Sequence, residues 1–426
     1  MLKKFLKNNF IFIILITLII VFFKETNTFG ITLSDDELYC QSDIAMDLDS
    51  GTILYGKNHT EKIYPASTTK ILTAILTIEN LSLDKKITVS QNAYDSIPYG
   101  SSVMGVKANE IFTVEQLLYG LMLPSGNDAA LVLAEAVSGN VDNFVYLMNS
   151  KLKELNLNDT HFVNPHGFHD DNHYSTATDM ANLLRYCLQN ETFKKIISTL
   201  EYEIKPTNLT NESRILRSTS RICDPLYTNI YYEYILGGKT GYTIEANGTF
   251  VGYGSKDGKN IIVCAFNGSQ SINGNQGRFL DTEKLAKYCF DNFNQENLIK
   301  ANDYNFKIYD KNNNKYYIVG LSDDFISLKN NNEIIHFYAD ITSNFDTLDI
   351  LSSSEETSIN NSVVGKINIY NQENEIINTV NLNYLGSGEY NNNIFFFTNN
   401  KYIIFFVLII FILLFLVIFY SNDKKR

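Results

Sequence analysis

The spacing of apolar residues changes along this chain, and each change predicts a different kind of element. Phe10 to Phe23 is an apolar run broken only by Thr17 and preceded by Lys3, Lys4 and Lys7. A basic stretch ahead of an apolar one is the pattern of a secretory signal. No small-x-small cleavage site follows, so residues 1–23 read as a signal peptide or as an uncleaved signal anchor, with 24–39 as a polar linker. At the other end, Tyr402 to Tyr420 is apolar and aromatic over a length that spans a bilayer as a helix. Asp423, Lys424, Lys425 and Arg426 follow it. Basic residues outside both runs put both tips in the cytoplasm and everything between them beyond the membrane.

Between these runs the pattern mixes strand and helix. Asp43 to Lys57 alternates and turns at Asp49-Ser50-Gly51, which predicts a hairpin. From Ser67 onward, Ile71, Leu72, Ala74, Ile75 and Ile78 fall on one helical face. Thr113 and Gln116 form a capping box ahead of Leu117, Leu118, Leu121 and Met122. Asp128 to Val137 reads as a further, Ala-rich helix. Gly248 to Ser255 and Asn260 to Asn267 are apolar strands around the turn Lys256 to Lys259. After about residue 300 helical periodicity fades. Short strands are predicted at Asn305 to Tyr309, Tyr316 to Val319, Ile334 to Tyr338, Lys366 to Tyr370 and Ile376 to Leu382, with Asn-rich turns between them. The expected organisation is a catalytic domain over 40–292, a β-rich domain over 300–390, a transmembrane helix at 402–420 and a tail at 421–426.

Composition adds exclusions. The chain has 426 residues, enough for two folded units, and 45% hydrophobic residues suit a sizeable core. A formal net charge of −12 repels phosphate backbones, which argues against a nucleic-acid partner. Cys40, Cys187, Cys223, Cys264 and Cys289 are scattered with no metal-binding spacing. No disulfide framework is expected, although a single bridge stays open.

Candidate chemistry begins with S-x-x-K, which occurs at Ser67/Lys70, Ser82/Lys85, Ser150/Lys153 and Ser421/Lys424. Ser67 alone opens a strongly apolar helix. Spacing i, i+3 brings Ser67 and Lys70 to one helical face, and a helix N-terminus offers N–H groups to an oxyanion. Lysine acts as a base only when neutral, so burial or a second cation must lower its pKa. Taken alone, such a pair is more often an N-cap serine with a solvated lysine. Ser125-Gly126-Asn127 lies between two predicted helices. A second Ser-Gly-Asn at Ser138 to Asn140 ends a helix, with Gly139 as its C-cap. Lys239-Thr240-Gly241 follows the strand-like Ile230 to Leu236, and its glycines let a substrate backbone approach.

In this order the motifs resemble the active-site set of serine penicillin-binding proteins and class A β-lactamases. Longer matches are similar to the D-alanyl-D-alanine carboxypeptidase family: Pro65 to Lys70, Pro124 to Ala130, Phe162 to Gly167 and Gly238 to Thr243. The resemblance covers roughly residues 40–292. It implies an α+β fold, a penicillin-binding or β-lactamase-like transpeptidase domain whose antiparallel sheet has helices on both faces. It also implies Ser67 as nucleophile, Lys70 as base, and Ser125 and Asn127 as a proton relay. Lys239 and Thr240 would hold the substrate carboxylate. Ser67 and Tyr242 would supply the oxyanion N–H groups, and Gly241 would lie on the substrate edge. An arginine near Arg278 binds the carboxylate in the family. The implied partners are peptidoglycan stem peptides, β-lactam inhibitors and the membrane, with no cofactor and no metal. One departure is Glu245-Ala246-Asn247-Gly248, where an asparagine stands in a position the family usually keeps small.

Three other readings compete. His161, His166, His169 and His173 invite zinc, but Asn164-Pro165 and Gly167 make this segment a turn-rich loop without helical ligand spacing. A β-lactamase places a glutamate four residues before an asparagine; here Leu152 stands before Asn156. Deacylation of a bound penicillin is therefore expected to be slow. The third reading is a non-catalytic wall-binding anchor.

Overall fold

The computed structural model describes residues 33–269, 276–310, 315–330, 333–341 and 362–389. The apolar runs Phe10 to Phe23 and Tyr402 to Tyr420 lie outside the described residues. Among the described residues, no helix is long and apolar enough to cross a membrane.

Strands β1 (Ser42–Asp47) and β2 (Ile53–Lys57) form the expected N-terminal hairpin. The chain then enters a helical layer: α1 (Lys70–Asn80), β3 (Lys86–Thr88), α2 (Gln91–Asp95), β4 (Ile111–Thr113), α3 (Val114–Met122), α4 (Asn127–Ser138), α5 (Val141–Glu154), α6 (Ala177–Cys187) and α7 (Glu191–Ile197). Thr113 and Gln116 form both halves of the capping box that starts α3. Gly139 ends α4 at φ 80°, the left-handed conformation a C-cap needs. A ribbon of β5 (Glu201–Ile204) and β6 (Arg214–Arg217) leads back to three long strands, β7 (Ile235–Thr243), β8 (Asn247–Lys256) and β9 (Lys259–Gly268). Helix α8 (Gly277–Asn292) closes this part.

The central sheet has the order β2-β1-β9-β8-β7 and every neighbouring pair is antiparallel. Alternation along β1 explains why both faces are covered. Ile44 and Met46 join the core built by α1, α3, α4 and α6, whereas Ala45 joins Phe279, Leu285 and Cys289 of α8 on the opposite face. This is the expected α+β arrangement of an antiparallel sheet between helices.

One boundary differs. Ile230 to Tyr234 is not strand, because Ile230 N and Tyr231 N bond back to Tyr227 O and Tyr232 N bonds to Ile222 O. These turns delay β7 to Ile235, so Lys239-Thr240-Gly241 lies inside the strand rather than after it.

After α8, β10 (Phe293–Ile299) pairs with β13 (Phe325–Asn330). Between and beyond them, β11 (Phe306–Asp310), β12 (Lys315–Gly320), β14 (His336–Ile341), β15 (Val363–Tyr370) and β16 (Ile376–Glu389) form an antiparallel sheet of order β11-β12-β16-β15-β14. Tyr317, Val319, Ile367, Ile369 and Leu382 fill its own apolar cluster. All five cysteines are buried and free.

Candidate active site

Ser67 occupies a 3-10 turn, Ala66–Thr69, that runs straight into α1. Thr68 Oγ1 donates to Pro65 O at 2.7 Å and Thr69 Oγ1 to Ala66 O at 2.8 Å, which fixes the turn. Ala66 takes a positive φ of 48°, a strained choice for a residue with a Cβ. The strain is held from outside. Gly167, at φ 81°, packs so closely that a Cβ on it would stand 1.8 Å from Ala66 O.

Lys70 is fully buried, and its Nζ has three neighbours: Ser67 Oγ at 2.9 Å, Asn127 Oδ1 at 2.6 Å and His166 O at 2.7 Å. Burial, reinforced by the positive charge of Lys239, holds Lys70 well below the ordinary lysine range; Asp128 opposes this. A neutral amine has two N–H groups and one lone pair. The two carbonyl oxygens accept the N–H groups, which leaves the lone pair facing the Ser67 hydroxyl. The geometry therefore suits an amine that takes a proton from Ser67.

The turn between α3 and α4 supplies the next wall. Ser125 adopts φ 65°, and its Oγ is buried with no hydrogen-bond partner among the described residues. Asp128 ties a neighbouring loop over this turn, its carboxylate accepting from Met104 N, Gly105 N and Val106 N at 2.8–3.1 Å. Asn127 N donates to Ser102 O at 2.8 Å. The loop brings Ser101 and Ser102 to the site, which no motif announced; an acid in the first turn of α4 was its only trace.

Strand β7 closes the other side as the edge of the central sheet. A Cβ on Gly241 would lie 2.8 Å from Ser67 N, so the glycine lets this strand approach the nucleophile turn. Lys239 is buried and donates to Thr240 O at 2.9 Å. Burial, with help from Arg278, lowers its pKa to about 7. Thr240 Oγ1 meets Thr219 Oγ1 at 2.5 Å. Arg278 braces the strand from α8, donating from Nη1 to Gly241 O at 2.6 Å and from Nη2 to Gln276 Oε1 at 2.6 Å. Asn247 takes φ 49° in the β7–β8 turn and donates to Asn267 Oδ1 at 2.6 Å, so the unusual asparagine serves a left-handed turn position.

Ser67, Ser125, Asn127, Thr240, Gly241, Tyr242 and Arg278 all line one cavity of about 800 Å³. Lys70 and Lys239 sit beneath its floor, so every site residue expected from the sequence is brought to one place. The histidines do not gather into a metal site: His169 lines the cavity beside Glu245, and the rings of His166 and His173 are turned into their own loop. His173 Nδ1 accepts from Val163 N at 3.1 Å, so its Nε2–H faces Thr69 Oγ1 at 2.8 Å. His166 Nδ1 accepts from Phe168 N at 3.1 Å. Burial lowers the pKa of each to about 3, so both are neutral braces of the loop. Ser150 donates to Tyr146 O on an exposed helix face, far from any such arrangement. Leu152 is buried in the helical core, and Glu154 pairs with Lys151 at 3.0 Å.

Fold and site together define a class: a serine enzyme built on the penicillin-binding, transpeptidase-like architecture. Residues 30–270 match the family model described as D-alanyl-D-alanine carboxypeptidase. The carboxypeptidase DacF of Bacillus subtilis is 31% identical over 293 residues, covering 68% of this chain and 72% of that protein. DacA of Haemophilus influenzae is 27% identical over 84% of this chain and 87% of its own length. Penicillin binding protein 5 from Haemophilus influenzae superposes with a TM-score of 0.62 at 23% identity, over 84% of this chain and 100% of that one; this supports the fold alone. The Streptomyces K15 DD-transpeptidase gives 0.54 at 30% identity, over 60% of this chain and 98% of that one. The chain belongs to the D-alanyl-D-alanine carboxypeptidase family and is a serine-type carboxypeptidase.

Proposed function

We propose that the enzyme removes the terminal D-alanine from peptidoglycan stem pentapeptides through an acyl-enzyme on Ser67. Neutral Lys70 takes the Ser67 proton as Oγ attacks the carbonyl between the two D-alanines. The oxyanion is received by the N–H groups of Ser67 and Tyr242. The unpartnered Ser125 hydroxyl passes the proton from Lys70 to the leaving D-alanine nitrogen, and Asn127 keeps the amine aimed. Lys239 and Thr240, with Arg278 behind Gly241, hold the substrate carboxylate on the β7 edge. Water then hydrolyses the acyl-enzyme along the reverse proton path.

The observation that carries this reading is a fully buried lysine whose Nζ lies 2.9 Å from Ser67 Oγ while two carbonyl oxygens take its other contacts. A β-lactam, whose strained amide mimics the substrate, acylates Ser67 and leaves slowly, since the glutamate a β-lactamase places four residues before an asparagine is replaced by the core residue Leu152; Glu245, a carboxylate on the cavity lining, lies 3.9 Å from His169 Nδ1. The β-lactamase reading and the non-catalytic anchor reading rank below this one for the same reasons of side-chain inventory.

Residues 40–292 form the catalytic domain and 300–390 a separate β-rich domain. The run at 402–420 tethers both to the bacterial cell membrane with the active site on the extracytoplasmic face. The −12 net charge supports a partner set without nucleic acid.

Fluorescent penicillin labelling with mapping of the modified residue tests the proposal, together with D-alanine release from a stem-pentapeptide analogue. Both signals should vanish in Ser67→Ala. Labelling at another residue, or D-alanine release that survives the substitution, would remove Ser67 from the mechanism.

A further inference from the structure

The face of the central sheet that packs on α8 holds a polar cluster the mechanism does not use. Cys40, Asp43 and Asp281 are all buried, and one ligand atom from each lies within 4.8 Å of the others. Asp281 is satisfied by backbone. Its Oδ2 accepts from Tyr39 N at 2.8 Å and Cys40 N at 2.6 Å, while its Oδ1 takes a longer share of the Tyr39 N–H at 3.0 Å. Asp43 is not satisfied. Both of its carboxylate oxygens are buried, and neither has a hydrogen-bond partner among the described residues.

A buried carboxylate in that condition is strongly unfavourable, the more so beside a second one. Protonation relieves this only if the Asp43 O–H reaches Asp281, whose two oxygens already accept from Tyr39 N and Cys40 N. A cation resolves it by accepting electron pairs from all three groups.

We propose that Cys40, Asp43 and Asp281 form a buried structural site for one divalent cation of the zinc class. One sulfur and two carboxylate oxygens suit zinc, whereas calcium and magnesium take oxygen-only shells. On binding, the Cys40 S–H proton leaves to solvent and the sulfur lone pair goes to the metal; the carboxylates bind as anions. Lys57, which donates to Asp35 O and Leu38 O nearby, offsets part of the remaining negative charge. No sequence spacing marks this site, because Cys40 and Asp281 stand 241 residues apart. The cation ties the entry of the catalytic body to α8, where Arg278 precedes Asp281 by one turn and braces Gly241.

The test uses the full-length chain, expressed in zinc-supplemented medium, purified in detergent, desalted and assayed for metal by mass spectrometry. One zinc per chain is expected, falling in Asp43→Asn and in Cys40→Ser. Cobalt-loaded protein should show a thiolate-to-cobalt charge-transfer band that Cys40→Ser abolishes. Asp43→Ala should lower the melting temperature of the zinc-loaded protein. Wild-type protein that melts cooperatively yet carries neither zinc nor cobalt overturns the proposal. So does metal content indifferent to both substitutions, or a rise in melting temperature for Asp43→Ala, which would mark Asp43 as a merely unpaired acid.

Discussion

The Ser67 pocket and the C-terminal sheet treat backbone and polar groups in opposite ways. In the pocket, Ala66 and Ser125 sit at positive φ, and among the described residues two buried lysines have no carboxylate partner at bonding distance and Ser125 Oγ has no partner. Among the described residues of the sheet of β11, β12, β16, β15 and β14, those at positive φ are Asn374 in a turn and Gly386, both residue types that tolerate it. Its apolar interior is Tyr, Val, Ile and Leu, and the carboxylate it buries, Asp310, stands at the end of β11 rather than in a cavity. Chemistry thus occupies the region where local preference is overruled by tertiary contacts, and the sheet occupies the region where the two agree.

The sharpest way to break this comparison is to remove what the strain supports. Lys70→Arg puts a permanent cation there, because a guanidinium cannot lose a proton near neutral pH. Penicillin acylation and D-alanine release should fall by about 10²–10⁴-fold, the usual worth of a positioned base. The wild-type pH profile gives the same information with a sign. The folded lysine is held low, so its neutral fraction drops as pH falls through that depressed value, and acylation should decline with it. A Lys70→Arg enzyme that acylates at the wild-type rate would take lysine out of the mechanism.

Next in size is the support itself. Gly167→Ala places a Cβ 1.8 Å from Ala66 O in a left-handed conformation that alanine disfavours. Steric overpacking and the backbone penalty together predict a loss of about 3 kcal/mol in unfolding free energy. Denaturant melts measure that loss, and penicillin acylation should fall with it because Ser67 shares the turn. An alanine variant as stable as wild type would mean that the nucleophile turn is not held by the 166–168 loop.

Much of the pocket was legible in the sequence because its side chains come in short motifs. Ser67/Lys70, Ser125 to Asn127 and Lys239 to Gly241 each span one turn or one strand, and their order carried the rest. What stayed hidden is what residue type does not encode. The third partner of Lys70 is the backbone carbonyl of His166, and the loop carrying Ser102 is drawn in by Asp128 across more than a turn of chain. The capping box at Thr113 and the C-cap at Gly139 were visible for the opposite reason, since both are local. In the C-terminal region most strands were legible by alternation, but β10 and β13 were not. The segment Asn294 to Asn297 is polar throughout, and only its pairing with β13 makes it a strand.

The smallest expected effect lies where the C-terminal strands meet the β1–β2 turn of the central sheet. Ser327 on β13 reaches the β1–β2 turn: its Oγ lies 2.8 Å from Ser50 Oγ and from Thr52 Oγ1, and 3.1 Å from Asp47 Oδ2. Leu328 N donates to the same Asp47 oxygen at 3.0 Å, and Asn378 of β16 donates to Ser50 O and Thr52 Oγ1. Ser327→Ala removes one member of this network and leaves Asp47 with the Ser50 hydroxyl and the Leu328 N–H. A loss of about 1 kcal/mol in unfolding free energy follows from removing one hydroxyl at a buried site whose carboxylate keeps two other donors. Acylation by penicillin should not change, because the turn lies at the end of the sheet hairpin remote from β7 in the strand order. A matching drop in acylation rate would show that the C-terminal strands set the geometry of the pocket, and the contrast between a strained site and an indifferent neighbour would no longer hold.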